Sequence, residues 1–525
     1  MMTNSIQPNN KGDVVYLLKK WFAIVLYTSI VGEIIFFLSW ENMMGCLMEL
    51  IVWHIFNGFF LKRKIILEHP FSFLTFLSMF LARYLPLPAT LLEGKPITYG
   101  FEMPFDTFFW ETVMFCVASM AFYTSIHYHS KKTNKIQKWL FKIGFFKTDP
   151  ITLWILGLIG IAVRIQQLIV AGEVEFGDVN NKFLAGLLYL QYTPIIMLFP
   201  TLCGISKSKS RNLLVWLYIA VLFITSFATN SRQSMIFPIF TLILLYFIYV
   251  LIENISVFKL LSPKKIIILG FFVFVGLNFI SDISLAMLAT RKVRSDISRA
   301  ELFEKTVQTL QNDGLMEQLR NTSIEERGQL ISYSNGWDER YINNFMLNRF
   351  GNLRVSDETI YYAHKIGFSN PKMQDSFESK ALAIFPLPLL AIFNVKLDKN
   401  QLLYSPGDML FMTGGGANAL GGYRVTSLVA DGLATFGLWS FPLIFILLFF
   451  SFKLLDCFVI FRNNQVMFST IGLINIFGFL GMYRNSIGLT VPLAYILRGF
   501  WQLCFTYWLV VFIIQLLPYA RGRKN

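Results

Sequence analysis

Stretches of about twenty predominantly apolar residues follow one another through most of this chain, and the polar connectors between them are basic at every second gap. Few architectures tolerate that pattern. Backbone in lipid must satisfy its own N–H and C=O groups, so each stretch is expected to be a helix. With 55% hydrophobic residues, 54 Phe and a mean hydropathy of +0.53, the chain carries more apolar surface than a soluble core buries, whereas a bilayer solvates it. The net charge of +14 raises the question of nucleic acid, and its location answers it. Lys62, Arg63 and Lys64 follow one span; Lys131, Lys132, Lys135, Lys138, Lys142 and Lys147 follow another. Lys207, Lys209 and Arg211 make a third cluster, Lys259, Lys264 and Lys265 a fourth, and Arg521, Arg523 and Lys524 close the chain. This is the positive-inside distribution. No basic patch is interleaved with solvent-facing aromatics, so nucleic acid is not an expected partner.

Hydropathy places spans at 21–40, 43–61, 70–92, 107–126, 150–172, 184–204, 212–229, 235–253, 266–288, 433–452, 466–483 and 496–517. The expectation is an all-α, polytopic protein of about twelve transmembrane helices with both termini in the cytoplasm. The N-terminal residues to Asp13 are polar and lack the shape of a signal peptide, so 21–40 reads as a retained anchor. Cys46, Cys116, Cys203, Cys457 and Cys504 lie in or beside apolar stretches and read as small core residues.

The hydrophobic pattern stops between about 289 and 425 and then resumes. Three parts follow: 1–288 with helices one to nine, 289–432 as a large external loop domain, and 433–525 with helices ten to twelve. The loop domain has no Cys and hence no disulfide. One apolar segment inside it, Ala381 to Val395, is broken by Pro386 and Pro388. Too short to span, it is read as a membrane-surface or re-entrant segment, with a buried element of the loop domain as the alternative.

Polar residues at the outer ends of the spans are the candidates for chemistry. Arg232 sits in the turn Asn230-Ser231-Arg232-Gln233-Ser234 between two apolar spans, and Arg484 in Tyr483-Arg484-Asn485-Ser486. Each guanidinium either grips a phosphate or carboxylate or snorkels to the interface. Arg291, Lys292, Arg294 and Arg299 lie on the side where the positive-inside bias depletes cations, which points to an anion nearby. Charged and aromatic residues alternate through Arg340, Tyr341, Arg349 and Arg354, a composition suited to sugar, as is Tyr404; a solvated helix face is the other reading. His364 follows Glu358 and Tyr361 at three-residue spacing and is a candidate general base. A glycine-rich run leads from Gly414 to Arg424, and Asp431 stands where the chain returns to the membrane.

The string Ala430-Asp431-Gly432-Leu433-Ala434-Thr435-Phe436-Gly437-Leu438, opening the span after the large loop, resembles the corresponding segment of Wzy-type oligosaccharide repeat-unit (O-antigen) polymerases. The Asn230-Ser231-Arg232 turn is similar to that family's pattern, as is the plan of about a dozen helices, a GT-C-like bundle with one big external, periplasmic loop late in the chain. An Arg-x10-Gly spacing, described in some members, occurs at Arg340 to Gly351 and at Arg83 to Gly94, at about the frequency that chance allows. The resemblance implies a bacterial inner-membrane glycosyltransferase that joins undecaprenyl-pyrophosphate-linked repeat units on the outer side. Its partners would be the bilayer, the lipid-linked oligosaccharide and a chain-length regulator protein. Pyrophosphate is the leaving group and needs positive charge as its bond breaks. No Asp-x-Asp or other metal-ligand cluster is apparent, so no metal or cofactor is expected and arginine is assigned the role. The expected clamp is Arg232, Arg291, Arg424 and Arg484, with His364 as base and Glu358 and Asp431 as alternates.

Three other readings are open. An O-antigen ligase-like enzyme shares the chemistry and differs in acceptor. A GT-C enzyme using lipid-phosphate sugars would place acids in its first large outer loop, where Glu93, Glu102 and Asp106 lie. A transporter of lipid-linked oligosaccharide would use charges inside the spans, such as Glu33, Glu49, His54, Arg83, Arg164 and Asp282.

Overall fold

The computed structural model describes residues 13–128, 134–146, 148–169, 184, 186–205, 212–228, 232–255, most of 282–290, 299–328, 331–339, 341–342, 347–348, 353–417, 419–462, 465–483 and 487–516. The chain is mostly helical. Among the described residues, seven helices are long and apolar enough to cross a membrane: Val14–Phe36, Trp40–Phe60, Pro104–His127, Pro150–Gln167, Ser234–Ile252, Leu428–Phe458 and Thr490–Leu516. Pro70–Tyr84 and Pro86–Leu92, bent by 43°, make an eighth if taken as one span. Pro86 has no N–H to continue the ladder and starts a new helix at the bend.

The expectation of twelve spans is therefore not met by these residues. The stretch 184–204 forms a 3-10 helix, Leu188–Leu198, followed by a second at Pro200–Cys203. Pro194 and Pro200 each remove a donor that an α-helix there would need. Asn212–Ala228 is helical but only 17 residues long. The stretch 466–483 opens as a strand, Gln465–Phe468, antiparallel to Val459–Arg462, before two short helices, Thr470–Ile474 and Ile476–Gly481. Most of 266–288 lies outside the described residues.

Packing is dominated by aromatic rings between closely set helices. Phe56 stacks on Phe80 with centroids 4.0 Å apart, and Phe76 lies 5.5 and 4.7 Å from Phe115 and Phe122. Where Pro150–Ile169 meets the 3-10 segment, a Cβ on Gly160 would stand 2.1 Å from the Gln191 backbone nitrogen. Glycine alone permits that approach. The Tyr218 hydroxyl donates a shared bond to the carbonyls of Gly157 and Gln191, which the irregular segment leaves available.

The two ends of the bundle differ. At one, basic residues tie helix ends together: Arg63 donates to Asn254 and to the Leu251 carbonyl, and Lys453, in the last turn of Ser440–Leu455, to the Tyr128 carbonyl at 2.7 Å. There, too, Asp456 accepts from His69 at 2.7 Å and from Ser72. At the other end the polar insert folds back onto the spans. Its helix Arg354–Ile366 packs against Pro104–His127, Pro406–Thr413 and Leu428–Phe436, so it is seated in the bundle.

Candidate functional site

The insert meets the bundle in two polar clusters. The first surrounds Arg354–Ile366, where Arg354, Ser356, Asp357, Glu358 and Thr359 are all buried. Asp357 accepts from the backbone N–H of Glu102 (2.7 Å) and Met103 (3.1 Å), and from the hydroxyls of Thr107 (2.8 Å) and Tyr333 (2.7 Å). It thereby satisfies free donors at the start of Pro104–His127. Burial pushes its pKa up to about 6 while these donors pull the other way. Ser356 donates to Glu111, which pairs with Arg83 at 2.6 Å. Arg83 also donates to the carbonyls of Glu111 and Met79. The preceding loop is fixed by Glu33, which accepts from Ile97 N–H at 2.9 Å, and Tyr341, whose hydroxyl donates to the Ile97 carbonyl at 2.6 Å. Glu49 accepts from Leu87 N–H at 3.1 Å. This cluster is a scaffold in which buried charges have partners.

The second cluster lies where the insert returns to the membrane. Ser405 caps Pro406–Thr413 in a reciprocal box with Asp408. Asp408 accepts from the N–H of Ser405, Tyr423 and Arg424 and from the Arg424 side chain at 3.0 Å. Burial acts to raise the Asp408 pKa, and these donors hold it below the usual range. Asp431, on Leu428–Phe436, accepts from Leu489 N–H at 2.7 Å. The last connector approaches so closely that a Cβ on Gly488 would lie 2.9 Å from the Asp431 carboxylate and 2.8 Å from Pro406. Lys380 donates to the Tyr404 carbonyl, and its nitrogen stands 4.1 Å from the centre of the Tyr404 ring. Burial pushes its pKa down to about 8, against the attraction of Asp431 and Asp408. Its helix, Pro371–Ala383, also lines an open cavity of about 520 Å³ with Phe377, Glu378 and Leu382, bounded by Phe385, Phe436 and Leu497.

The residues expected from sequence fare differently. Arg291, Arg340, Arg349 and Arg484 lie outside the described residues, and Arg232 is described only as the first residue of the helix Arg232–Ile252. Arg424 is within the second cluster, but its charge is already matched by Asp408, and its guanidinium lies 4.6 Å from the centre of the Phe411 ring. It acts as a strut. His364 is exposed, 3.9 Å from Asp106 and against Phe368. Six helical residues turn about 600°, so His364 and Glu358 sit about 120° apart and share no face. Glu358 is buried, accepts from Asp338 N–H at 2.7 Å and, among the described residues, leaves Oε2 without a hydrogen-bond partner. Burial pushes its pKa up to about 8. Tyr341 is fully buried and Arg354 pairs with Asp338 at 2.9 Å, so neither presents a surface to sugar. Tyr404 is half-buried beneath Lys380 and bonds Ser376 at 3.1 Å. Asp431 and Tyr404 thus belong to the junction, while Glu358, Tyr341 and Arg354 belong to the scaffold.

Lys380 and Asp408 were not expected. The Ser405-Pro406-Gly407-Asp408 capping box is visible in sequence. Lys380 carries no such signal, because its partners are separated from it by 24 residues or more. Among the described residues, no three His, Cys, Asp or Glu side chains are grouped to hold a metal ion. A half-buried lysine whose pKa is lowered to about 8, within electrostatic reach of a buried aspartate, can bind an anion or move a proton. Comparison with family models, with curated proteins and with solved structures returned no match.

Proposed function

We propose that the protein is a glycosyltransferase of the bacterial inner membrane that polymerises undecaprenyl-pyrophosphate-linked oligosaccharide repeat units on the outer face. The reading rests on the resemblance at 430–438 and on one structural observation. A partly buried cation, Lys380, is held by the Tyr404 carbonyl and ring and feels the charge of Asp431, which the last connector caps at Leu489. In the proposed reaction the bond from the anomeric carbon to the pyrophosphate oxygen breaks, and its electron pair leaves on that oxygen. Lys380 offsets the growing charge. The acceptor hydroxyl oxygen forms the new bond to the anomeric carbon, and its proton passes to Asp431. Asp431 replaces His364 as the assigned base because it shares the junction with Lys380, whereas His364 faces outward beside Asp106. Of the expected clamp, Arg232, Arg291 and Arg484 remain part of the proposal, and Arg424 becomes a positioning residue.

A transport path is less well supported. Glu33, Glu49, Arg83 and Arg164 are held by fixed partners: two backbone N–H groups, Glu111 and Gln191. The test is deletion of the gene followed by complementation. Polymerase function requires surface glycans of single repeat units after deletion, and no rescue by Lys380→Ala at normal membrane abundance. Full-length polymer left on its lipid carrier would point to the ligase. Unchanged surface polymer after deletion would overturn the proposal.

A further inference from the structure

We infer that residues 385–393 of the insert are embedded in the hydrocarbon of the leaflet at the insert end of the bundle, forming a re-entrant wedge. Exposure comes first. Leu387, Leu389, Ile392 and Phe393 are all exposed, the last two at 73% and 69%, on and just beyond the short helix Leu387–Ile392. Four large apolar side chains within seven residues form a surface that water disfavours.

Depth supplies the second, independent argument. Phe385 lines the same cavity as Leu497 and Phe436, both of which belong to spans. Thr490–Leu516 is 27 residues long, which at helical rise is about 40 Å against about 30 Å of hydrocarbon. Centred in the bilayer, it leaves about 5 Å outside at each end, and Leu497, seven residues in, lies about 5 Å below the boundary. The chain therefore comes to the hydrocarbon boundary at Phe385, where the Lys399 ammonium holds its carbonyl, before the apolar helix begins.

The local chemistry suits a turn made there. Pro386 and Pro388 supply no N–H groups that would need partners in lipid. Lys399 donates to the carbonyls of Ala383 and Phe385, covering acceptors at the end of Pro371–Ala383. Exposed Leu438 and Trp439, the latter at 80%, continue the apolar surface along the neighbouring span. The occupant of this face is acyl chain. The inference does not depend on glycosyl transfer.

The test uses the full-length protein in nanodiscs, with a small fluorophore on Ile392→Cys and, separately, on Lys372→Cys. Lys372 is exposed near the other end of Pro371–Ala383, and the native cysteines are buried or half-buried. Lipid brominated on its acyl chains should quench the label at 392 and not at 372, while aqueous iodide quenches 392 at least about twofold less. Equal iodide quenching at the two sites, with no bromine effect, would overturn the inference. So would a label at 392 shielded from both quenchers, which would mean that protein, such as a second copy, covers the face.

Discussion

The two polar clusters of the insert contrast in how fully their charges are answered. Around Asp357 four donors meet one carboxylate, and Arg83 and Arg354 each have an acidic partner. At the junction, Lys380 has a carbonyl and an aromatic face, and among the described residues it forms no ion pair. Cations that face a fixed counter-charge hold a structure still. A cation with weaker local partners retains capacity for a ligand. Charge in the sequence is thus a poor guide to chemistry in this insert, because Asp338, Arg354, Asp357 and Glu358 are buried in the scaffold.

Breaking the ion-paired side should have the largest effect. Glu111→Ala leaves Arg83 buried without its carboxylate, at a cost of about 3–5 kcal/mol. The expected outcome is loss of the protein from the membrane fraction, read by immunoblot and thermal unfolding; wild-type abundance and melting would show the pair to be dispensable. The junction answers in activity instead. Lys380→Ala should lower polymerisation about 100-fold, the scale of one lost electrostatic stabiliser, with abundance unchanged. Polymer assayed in isolated membranes decides this, and near-normal rates would return Lys380 to a packing role.

Glu358→Gln sharpens the comparison through pH. The Glu358 pKa is raised by burial, so its favourable contribution is complete below about 4.5 and lost as pH rises toward about 8. The glutamine variant escapes that loss. Its stability relative to wild type should grow by about 1.4 kcal/mol for each pH unit near neutrality, followed by melting at pH 6 and 7. A difference that is flat with pH would mean that the folded carboxyl is not perturbed. The smallest effect belongs to His364→Ala, at an exposed position paired only loosely with Asp106: within about 0.5 kcal/mol in stability and no change in polymer length. Shortened polymer would restore His364 as the base.

Much of the bundle was legible in the sequence, because long apolar helices such as Val14–Phe36 and Pro104–His127 announce themselves by length and composition alone. The stretches 184–204 and 466–483 misled because hydropathy ignores hydrogen-bond geometry: Pro194 and the pairing of Val459 with Phe468 decide those segments. At the site, Asp431 was visible from its place beside the returning span. Lys380 was hidden because its neighbours Tyr404 and Asp431 come together only in three dimensions. The spacing of Glu358 and His364 suggested one face, but three-residue steps rotate steadily around a helix.

The carboxylate of Asp357 also carries a clock. Its donors at Glu102, Met103 and Thr107 precede it by 255, 254 and 250 residues. At ribosomal speeds of about 5–20 residues per second, those groups wait roughly 10 to 50 s for their acceptor to be made. The fourth membrane-crossing segment is therefore inserted with an unfinished end, and the first half of the molecule reaches its final form only after most of the chain has left the ribosome.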